Sequence, residues 1–136
     1  MANYFGAIEI LTPECDVTTL SDGRGAIFSC IPQESIKEFT LLYFHANKLR
    51  GNHYHPEFTE YFLVLSGSIA LITVDTDSGK QISMLAGEGF CFKTPPHVPH
   101  LVQAITEAKC ISLITKPWDE CTHPIIYKDL LKISQD

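Results

Sequence analysis

The sequence has no long apolar run, no excess of basic residues and no leader-like start. Its longest apolar stretches, such as residues 61–65, are far shorter than the roughly 20 residues of a membrane-spanning helix. The opening MANYFGAIEILTPE lacks the basic start and apolar core of a signal peptide. Ten basic and sixteen acidic side chains give a net charge of −6, which disfavours nucleic acids and anionic membranes as partners. These absences predict a cytoplasmic protein that binds neither nucleic acid nor membrane.

Paired cysteines are also missing. The five cysteines are odd in number and widely scattered, and no two of them have CxxC spacing. This pattern is typical of reduced thiols in a cytosolic protein, and it argues against a metal or redox site built from cysteine.

What is present is the composition of one globular domain, covering residues 1–136, with 45% hydrophobic and 19% charged residues. Short runs rich in Val, Ile, Leu, Phe, Tyr and Thr alternate with turn signals such as Asp22-Gly23 and Pro95-Pro96. Such spacing predicts an all-β sandwich or barrel. The predicted strands are 25–31, 39–46, 53–55, 60–65, 68–74, 81–86, 90–93, 100–105 and 110–115.

Two local patterns add detail. Residues 75–80, DTDSGK, predict a hairpin turn in which Gly79 supplies a positive φ. Residues 125–133, IIYKDLLKI, change to a helical period that places Ile126, Leu130 and Ile133 on one face. We therefore expect a short C-terminal helix against the sheets, with Pro124 in its first turn.

The chemistry begins at residues 51–67, GNHYHPEFTEYFLVLSG. His53 and His55 are two residues apart, so on a strand their side chains share a face. The pair Gly51-Asn52 is interpreted as a turn into that strand, and the short connection after it should fold Glu60 back toward both imidazoles. Two histidines and a carboxylate from adjacent strands form a plausible facial triad for a divalent metal.

A fourth candidate ligand lies downstream in GEGFCFKTPPHVPH, residues 87–100. If the sheet closes, His100 faces inward beside the other three. A buried carboxylate without a partner is strongly disfavoured, and a divalent cation would compensate Glu60 while using neutral imidazole lone pairs. The ligand types do not distinguish among Zn, Fe, Mn and Ni as the one divalent transition metal.

The combined pattern resembles the cupin superfamily. Its first motif corresponds to His53, His55, Glu60 and Gly67, and its second to Gly89, Pro95 and His100. The resemblance covers about residues 39–117. It implies a single antiparallel β-barrel of the jelly-roll type with a metal site near one mouth and, together with β-rich edges, a homodimer.

The sequence departs from that pattern at two positions. The glycine that usually precedes the second-motif histidine is replaced by His97, and the glycine expected at the start of the first motif falls at Asn47. Neither change removes a ligand.

The string LRGNHYH, residues 49–55, resembles cupin domains of bacterial sugar-nucleotide epimerases and isomerases, including those of capsular polysaccharide synthesis. The resemblance implies an epimerase or isomerase that acts on a nucleotide-linked keto-sugar, its small-molecule substrate. Such a reaction removes a proton alpha to a carbonyl. The acid–base candidates near the motifs are His97, ranked first, Tyr54 and Tyr61.

Cations and aromatic residues near the motifs suggest where a substrate could bind. Arg50, whose guanidinium suits a diphosphate, is the leading substrate-binding candidate, together with Lys48 and Lys93. Trp118 and Phe92 could stack on a base or sugar, but packing is the preferred interpretation for both.

Two other functions remain open. Three histidines and one glutamate also suit non-haem iron, so an Fe(II)-dependent dioxygenase or another small-molecule metalloenzyme is an alternative. A non-catalytic ligand-binding or sensing cupin is the other, because one fold hosts many functions.

Overall fold

Nearly all the regular structure is β-strand. The computed structural model describes residues 3–11 and 17–133, with side chains described for 3–11 and 22–133. The strands are β1 (Asn3–Phe5), β2 (Ile8–Ile10), β3 (Val17–Ser21), β4 (Ala26–Cys30), β5 (Glu38–Phe44), β6 (Leu49–Tyr54), β7 (Glu60–Ser66), β8 (Ile69–Val74), β9 (Gln81–Ala86), β10 (Cys91–Thr94), β11 (His100–Ala104), β12 (Ala108–Ile114) and β13 (Ile126–Tyr127). Two 3₁₀ turns, Trp118–Glu120 and Leu130–Lys132, are the helical elements within the described residues.

The strands form two large antiparallel sheets and one hairpin. The six-stranded sheet has the order β1-β2-β10-β7-β12-β5, and the five-stranded sheet has the order β13-β6-β11-β8-β9. Strands β3 and β4 pair only with each other among the described strands. The predicted all-β antiparallel fold is confirmed at this level, whereas a closed barrel stays a prediction.

Alternation along the strands builds the core between the two large sheets. In β12, Ala108, Cys110 and Ile114 are buried, while Lys109 between them is exposed. The same period of two places apolar residues of β7, β8 and β11 in one cluster. Polar residues at inward positions of these strands are therefore exceptions that need a partner, and they mark the site described below.

Strand β6 carries a bulge where the sequence suggested a turn. His100 pairs with His53, but the next residue of β11, Leu101, pairs with Gly51, so Asn52 is the extra residue. Gly51 and Asn52 have φ of 100° and 65°. The strand thus begins at Leu49, and the expectation that Gly51-Asn52 precede the strand is wrong. Residues three apart on a strand normally point to opposite faces. The extra residue at 52 breaks this alternation, so Arg50 and His53 face the same side.

The bulge depends on the absence of a side chain at Gly51. A Cβ there would lie 2.8 Å from the carbonyl oxygen of His100 and 3.2 Å from the Cα of Leu101. Asn52 fixes the other side of the bulge, because its side-chain oxygen accepts a hydrogen bond from the Leu130 backbone N–H at 2.8 Å. The backbone at Gly51 and Asn52 therefore allows β6 to lie close to β11, the strand that begins with His100.

The predicted hairpin is present, and the predicted C-terminal helix is not. The N–H of Asp75 donates to the Lys80 carbonyl at 2.8 Å, and Gly79 has a φ of 72°. The helix expected at 125–133 is instead the short strand β13, paired with β6, followed by the 3₁₀ turn. Unpaired backbone groups on the edge of β6 bind this segment, and Leu130 is fully buried against the second sheet. No helix in the described part of the chain is long and apolar enough to cross a bilayer.

We predict that Gly51→Ala lowers the free energy of unfolding by about 3 kcal/mol, because the side chain meets backbone atoms and the backbone is strained. Gly79→Ala is the control, since Gly79 also has a positive φ but has nothing within 4 Å of the added Cβ. Its cost should be about 1–2 kcal/mol. Urea denaturation of both variants measures the difference. Equal losses would show that the contact with His100 does not constrain the bulge.

Candidate active site

The four predicted metal ligands converge. His53 lies on β6 and His55 just beyond it, Glu60 begins β7, and His100 begins β11. One ring nitrogen from each histidine lies within 4.8 Å of the others. Oε1 of Glu60 lies 3.4 Å from the Nε2 atoms of both His55 and His100. The structure thus brings the four side chains together, while their binding of a metal stays a prediction.

Backbone carbonyls orient two of the imidazoles. The Nδ1 of His55 is 2.9 Å from the Pro124 carbonyl oxygen, and the Nδ1 of His100 is 3.0 Å from the Val98 carbonyl oxygen. A carbonyl only accepts, so each Nδ1 carries a proton, and the Nε2 of each ring faces Glu60. The Nε2 of His55 is buried without a hydrogen bond. Two Nε2 atoms facing one carboxylate oxygen call for a proton or a cation between them.

Glu60 is held in its ionised form. Burial alone would raise the pKa of the Glu60 carboxyl, but its contacts with His100 and His55 outweigh burial and hold the pKa well below its usual range. The other oxygen, Oε2, accepts a hydrogen bond from the Ser112 hydroxyl at 2.5 Å. Ser112 therefore orients the carboxylate so that Oε1 meets the histidines.

His53 is a neutral base at physiological pH. Burial lowers the pKa of His53 to about 4, with further lowering from His100 and His55, while Glu60 acts in the opposite direction. His53 is half-buried, whereas the other two imidazoles are buried. A molecule entering from solvent would therefore meet His53 first, in the form that can accept a proton or bind a metal.

The cluster lies in a cavity of about 570 Å³ between the sheets. The lining residues are Glu38, Thr40, Leu42, Phe44, Leu49, Arg50, Gly51, His53, His55, Glu60, Phe62, Phe92, His100, Val102, Ser112, Ile114, Trp118 and Asp119. The cavity therefore combines an apolar wall with a few convergent polar groups, as small-molecule sites do.

Residues 116–124 form a strap along one side of the cavity. Glu57 ties both ends of it, because Oε1 lies 2.8 Å from the Lys116 Nζ and Oε2 accepts from the His123 N–H at 2.5 Å. In between, the N–H of Trp118 donates to Glu38 at 2.7 Å. Trp118 is 42% exposed, and the centre of its ring lies 6.5 Å from the centre of the His55 ring in a T-shaped arrangement. The strap thus places one indole beside the histidines.

The three acid–base candidates do not line this cavity. Tyr54 points away from it, and its ring lies 5.8 Å from that of His97. Tyr61 is on the outer face of the six-stranded sheet, where its hydroxyl donates to Glu34 at 2.5 Å and burial raises the pKa of the phenol. His97 has a φ of 70° and donates its N–H to the carbonyl of His55. His97 therefore contacts the site through its backbone N–H.

The three predicted substrate-binding cations lie in different parts of the structure. Arg50 lines the cavity, with its guanidinium 5.9 Å from the centre of the Phe44 ring. Lys48 is exposed in the loop before β6. Lys93 lies on the outer face, where its amine donates to Gln33 at 3.1 Å. Only Arg50 of these three is among the described residues that line the cavity.

Sequence reasoning missed Ser112 and undervalued Trp118. Ser112 interrupts the apolar inward face of β12, and a polar residue at such a position was the available signal. Trp118 and Phe92, both interpreted as packing residues, line the cavity. For Trp118 the sequence offered no signal, because its position depends on ties between the strap and Glu57 and Glu38.

The structure is a domain of two antiparallel β-sheets whose cavity holds three histidines and one glutamate. Residues 20–122 match the polysaccharide biosynthesis C-terminal domain family, and the chain belongs to that family. Among curated proteins, none matches the chain.

Solved structures share the fold over most of the chain. A 3,4-ketoisomerase from Helicobacter canadensis is 16% identical with a TM-score of 0.74, covering 90% of this chain and 91% of that one. A dTDP-4-dehydrorhamnose 3,5-epimerase from Sulfolobus tokodaii is 18% identical with a TM-score of 0.71, covering 98% and 97%. A mutant of the 3,4-ketoisomerase QdtA from Thermoanaerobacterium thermosaccharolyticum, in complex with TDP-4-keto-6-deoxyglucose, is 15% identical with a TM-score of 0.71, covering 90% and 88%. At these identities the likeness establishes the fold.

We predict that His97→Gly keeps the fold and is more stable than His97→Ala by about 1 kcal/mol, because a left-handed backbone costs an L-residue about that much. Thermal and urea unfolding measure both variants. If His97→Gly is instead less stable than His97→Ala, the ring of His97 rather than its backbone conformation determines the position.

Proposed function

We propose that this domain is an epimerase or isomerase that acts on a nucleotide-linked keto-sugar in polysaccharide biosynthesis. The observation that carries the proposal is the convergence of three imidazoles and one carboxylate on a point inside a cavity large enough for a sugar. The family match and the likeness to sugar-nucleotide ketoisomerases and epimerases support this substrate class. We also propose that the chain acts in the cytoplasm as a homodimer.

The donor set fits one divalent transition metal, with Zn, Fe, Mn and Ni all compatible. His53, His55, His100 and Glu60 would hold it, and the buried Nε2 of His55 lacks the hydrogen bond that a structural histidine would have. Fixed Nδ1 tautomers on His55 and His100 are what metal-ligating imidazoles require. A bound ion would supply Lewis acidity toward the sugar carbonyl.

The residues of the chain divide the remaining work. Isomerisation requires a base that removes the proton alpha to the carbonyl and a group that returns it. His97, Tyr54 and Tyr61 lie outside the cavity lining, so His53, the most accessible of the three cavity imidazoles, is the candidate for proton transfer. In that case His55, His100 and Glu60 would hold the ion without it. The variants below separate a His53 that serves as base from a His53 that serves as a fourth ligand.

The substrate would lie between Arg50 and Trp118. Arg50 is the cationic side chain among the lining residues, so we place the diphosphate there. The lining also includes the carboxylates of Glu38 and Asp119, which repel phosphate. The apolar face of the sugar would then meet the Trp118 ring beside the histidines.

We predict that His55→Ala and His100→Ala lose most bound metal while keeping the fold. Metal analysis of the purified proteins measures occupancy, and circular dichroism measures folding. His45→Ala is the matched control, because His45 is an exposed histidine hydrogen-bonded to Glu107 and is not among the cavity residues. Full occupancy in both site variants would remove His55 and His100 from the ligand set.

Turnover is measured with TDP-4-keto-6-deoxyglucose in deuterium oxide, where an isomerase incorporates solvent deuterium into the sugar. In His53→Ala, retained metal with lost exchange assigns His53 as the base, whereas loss of both assigns it as a ligand. Absence of exchange in the unaltered chain across a panel of keto-sugar nucleotides would contradict the proposal. Iron-dependent oxygen consumption would then indicate the dioxygenase, and ligand binding without reaction the sensing module.

We predict that Arg50→Ala weakens binding of thymidine diphosphate about 10- to 100-fold, the loss expected for a charge-assisted hydrogen bond. Trp118 is the single tryptophan of the chain and lines the cavity, so its fluorescence reports binding directly. Lys48→Ala and Lys93→Ala remove cations outside the cavity and should leave the affinity unchanged. Equal weakening in all three variants would indicate attraction by overall charge instead of a phosphate site at Arg50.

A further inference from the structure

Two cysteines that are distant in the sequence meet on the side of β10 that faces away from the cavity. The Sγ of Cys30, which ends β4, lies 3.7 Å from the Sγ of Cys91, which begins β10. The spacing of the cysteines in the sequence argues against a redox site, because no two of them are close along the chain. The fold removes this objection for one pair, whose members are 61 positions apart.

Backbone contacts hold both thiols in place. The N–H of Leu11 donates to the carbonyl of Cys91 at 2.7 Å, and β10 pairs with β7 at this position. The segment that follows Cys30 is anchored as well, because the N–H of Gln33 donates to the Tyr61 hydroxyl at 3.1 Å. Two Sγ atoms in a disulfide are about 2.05 Å apart, so bond formation requires them to approach by roughly 1.7 Å. Small rotations of the two side chains supply such a movement.

The two thiols differ in access and in hydrogen bonding. Cys91 is 2% exposed, whereas Cys30 is half-buried. The S–H of Cys91 donates to the Sγ of Cys30, and a sulfur that accepts a hydrogen bond is stabilised as the thiolate. That hydrogen bond and burial raise the pKa of the Cys91 thiol. An oxidant from solvent therefore reaches Cys30 first, and Cys91 lies where it can attack the oxidised sulfur.

The other described cysteines have different surroundings. Cys110 is fully buried in the main core, where burial raises the pKa of its thiol to about 12. Cys121 lies in the strap, and its thiol donates to the Pro117 carbonyl at 3.5 Å. Cys30 and Cys91 are therefore the candidate pair among the cysteines that the structure describes.

The pair joins the β3–β4 hairpin to the six-stranded sheet. Among the described strands, β3 and β4 pair only with each other, so side-chain contacts attach the hairpin. One of them is the Phe28 ring against Gly89, where an added Cβ would lie 2.7 Å from the ring. Another is the contact of Cys30 with Cys91. A two-stranded hairpin is marginal by itself, so a covalent bond at this contact would change how firmly it is held.

We infer that Cys30 and Cys91 form a reversible disulfide in the presence of peroxide, and that the bond fastens the β3–β4 hairpin to β10. The Cys30 thiolate attacks one peroxide oxygen, so that an S–O bond forms, the O–O bond breaks and hydroxide leaves. The Cys91 sulfur gives up its proton and attacks the Cys30 sulfur, so that the S–S bond forms and the S–O bond breaks. The two thiol protons leave in two water molecules, and one hydrogen peroxide is reduced as two thiols are oxidised.

The test counts the thiols of the full-length chain after reduction and after treatment with excess hydrogen peroxide. Alkylation in denaturant should label all five cysteines of the reduced chain and three of the oxidised chain. Peptide mapping by mass spectrometry should find the peptide with Cys30 linked to the peptide with Cys91, and dithiothreitol should restore five thiols. Amide hydrogen exchange of β4 should be slower in the oxidised chain, because the hairpin is then bound covalently.

Three variants assign the order of the reaction. Cys30→Ser should keep its four remaining thiols under the same treatment, because Cys91 is buried. Cys91→Ser should form a sulfenic acid at Cys30 that a dimedone probe traps. Cys121→Ser is the matched control, since Cys121 is also half-buried, and it should still lose two thiols. Circular dichroism checks that each variant is folded.

Several outcomes would contradict the inference. Five labelled thiols after peroxide would show that the pair does not react, and a linkage between other cysteines or between two chains would place the chemistry elsewhere. Loss of two thiols in folded Cys30→Ser would exclude Cys30 as the partner. Thiols that dithiothreitol does not restore would indicate sulfinic acid instead of a disulfide. A disulfide that leaves the exchange of β4 unchanged would overturn the fastening of the hairpin.

Discussion

The carboxylate of Glu60, buried among imidazoles, is the constraint on which the site depends. An ionised carboxylate inside an apolar sandwich is unstable unless every lone pair finds a partner. Ser112 satisfies one oxygen, and the other faces the Nε2 atoms of His55 and His100. The arrangement therefore couples three strands, β7, β12 and β11, through one side chain. Without Glu60, the inward polar residues Ser112 of β12 and His100 of β11 would lose the partner that they share.

The orientation of the imidazoles is set by backbone outside the strands. His55 is oriented by the carbonyl of Pro124 at the end of the strap, and His100 by the carbonyl of Val98 in the proline-rich corner. Both carbonyls belong to segments in which proline restricts the backbone. The strap is in turn tied to Glu57, so the chain between β12 and β13 acts as a support for the site. Its ion pair and hydrogen bonds thus help to position the imidazole of His55.

The fold class and the four converging residues were predictable, because both follow from periodicity and spacing. Alternation of apolar residues located most strands, and His53, His55, Glu60 and His100 were identified from their positions on neighbouring strands. The C-terminal segment was not predictable in this way. Ile126, Leu130 and Ile133 suit a helix by period, yet the open edge of β6 pairs with the segment and a single residue, Leu130, is buried in the sheet interface. Tertiary pairing outweighed local propensity, as it commonly does for short segments.

The two departures from the cupin pattern explain why the sequence suggested an acid–base role for His97. Asn47 and His97 stand where the sequence pattern led us to expect glycine, and both have a φ of 70°. Both residues adopt a left-handed backbone conformation. This conformation costs less free energy for asparagine than for most other residues. At His97 that conformation directs the N–H to the carbonyl of His55, the residue whose ring faces Glu60. The histidine therefore holds the site through its main chain, and its ring lies on the far side beside Tyr54. A titratable residue beside a motif can thus serve the backbone, and only the direction of its side chain separates that role from catalysis.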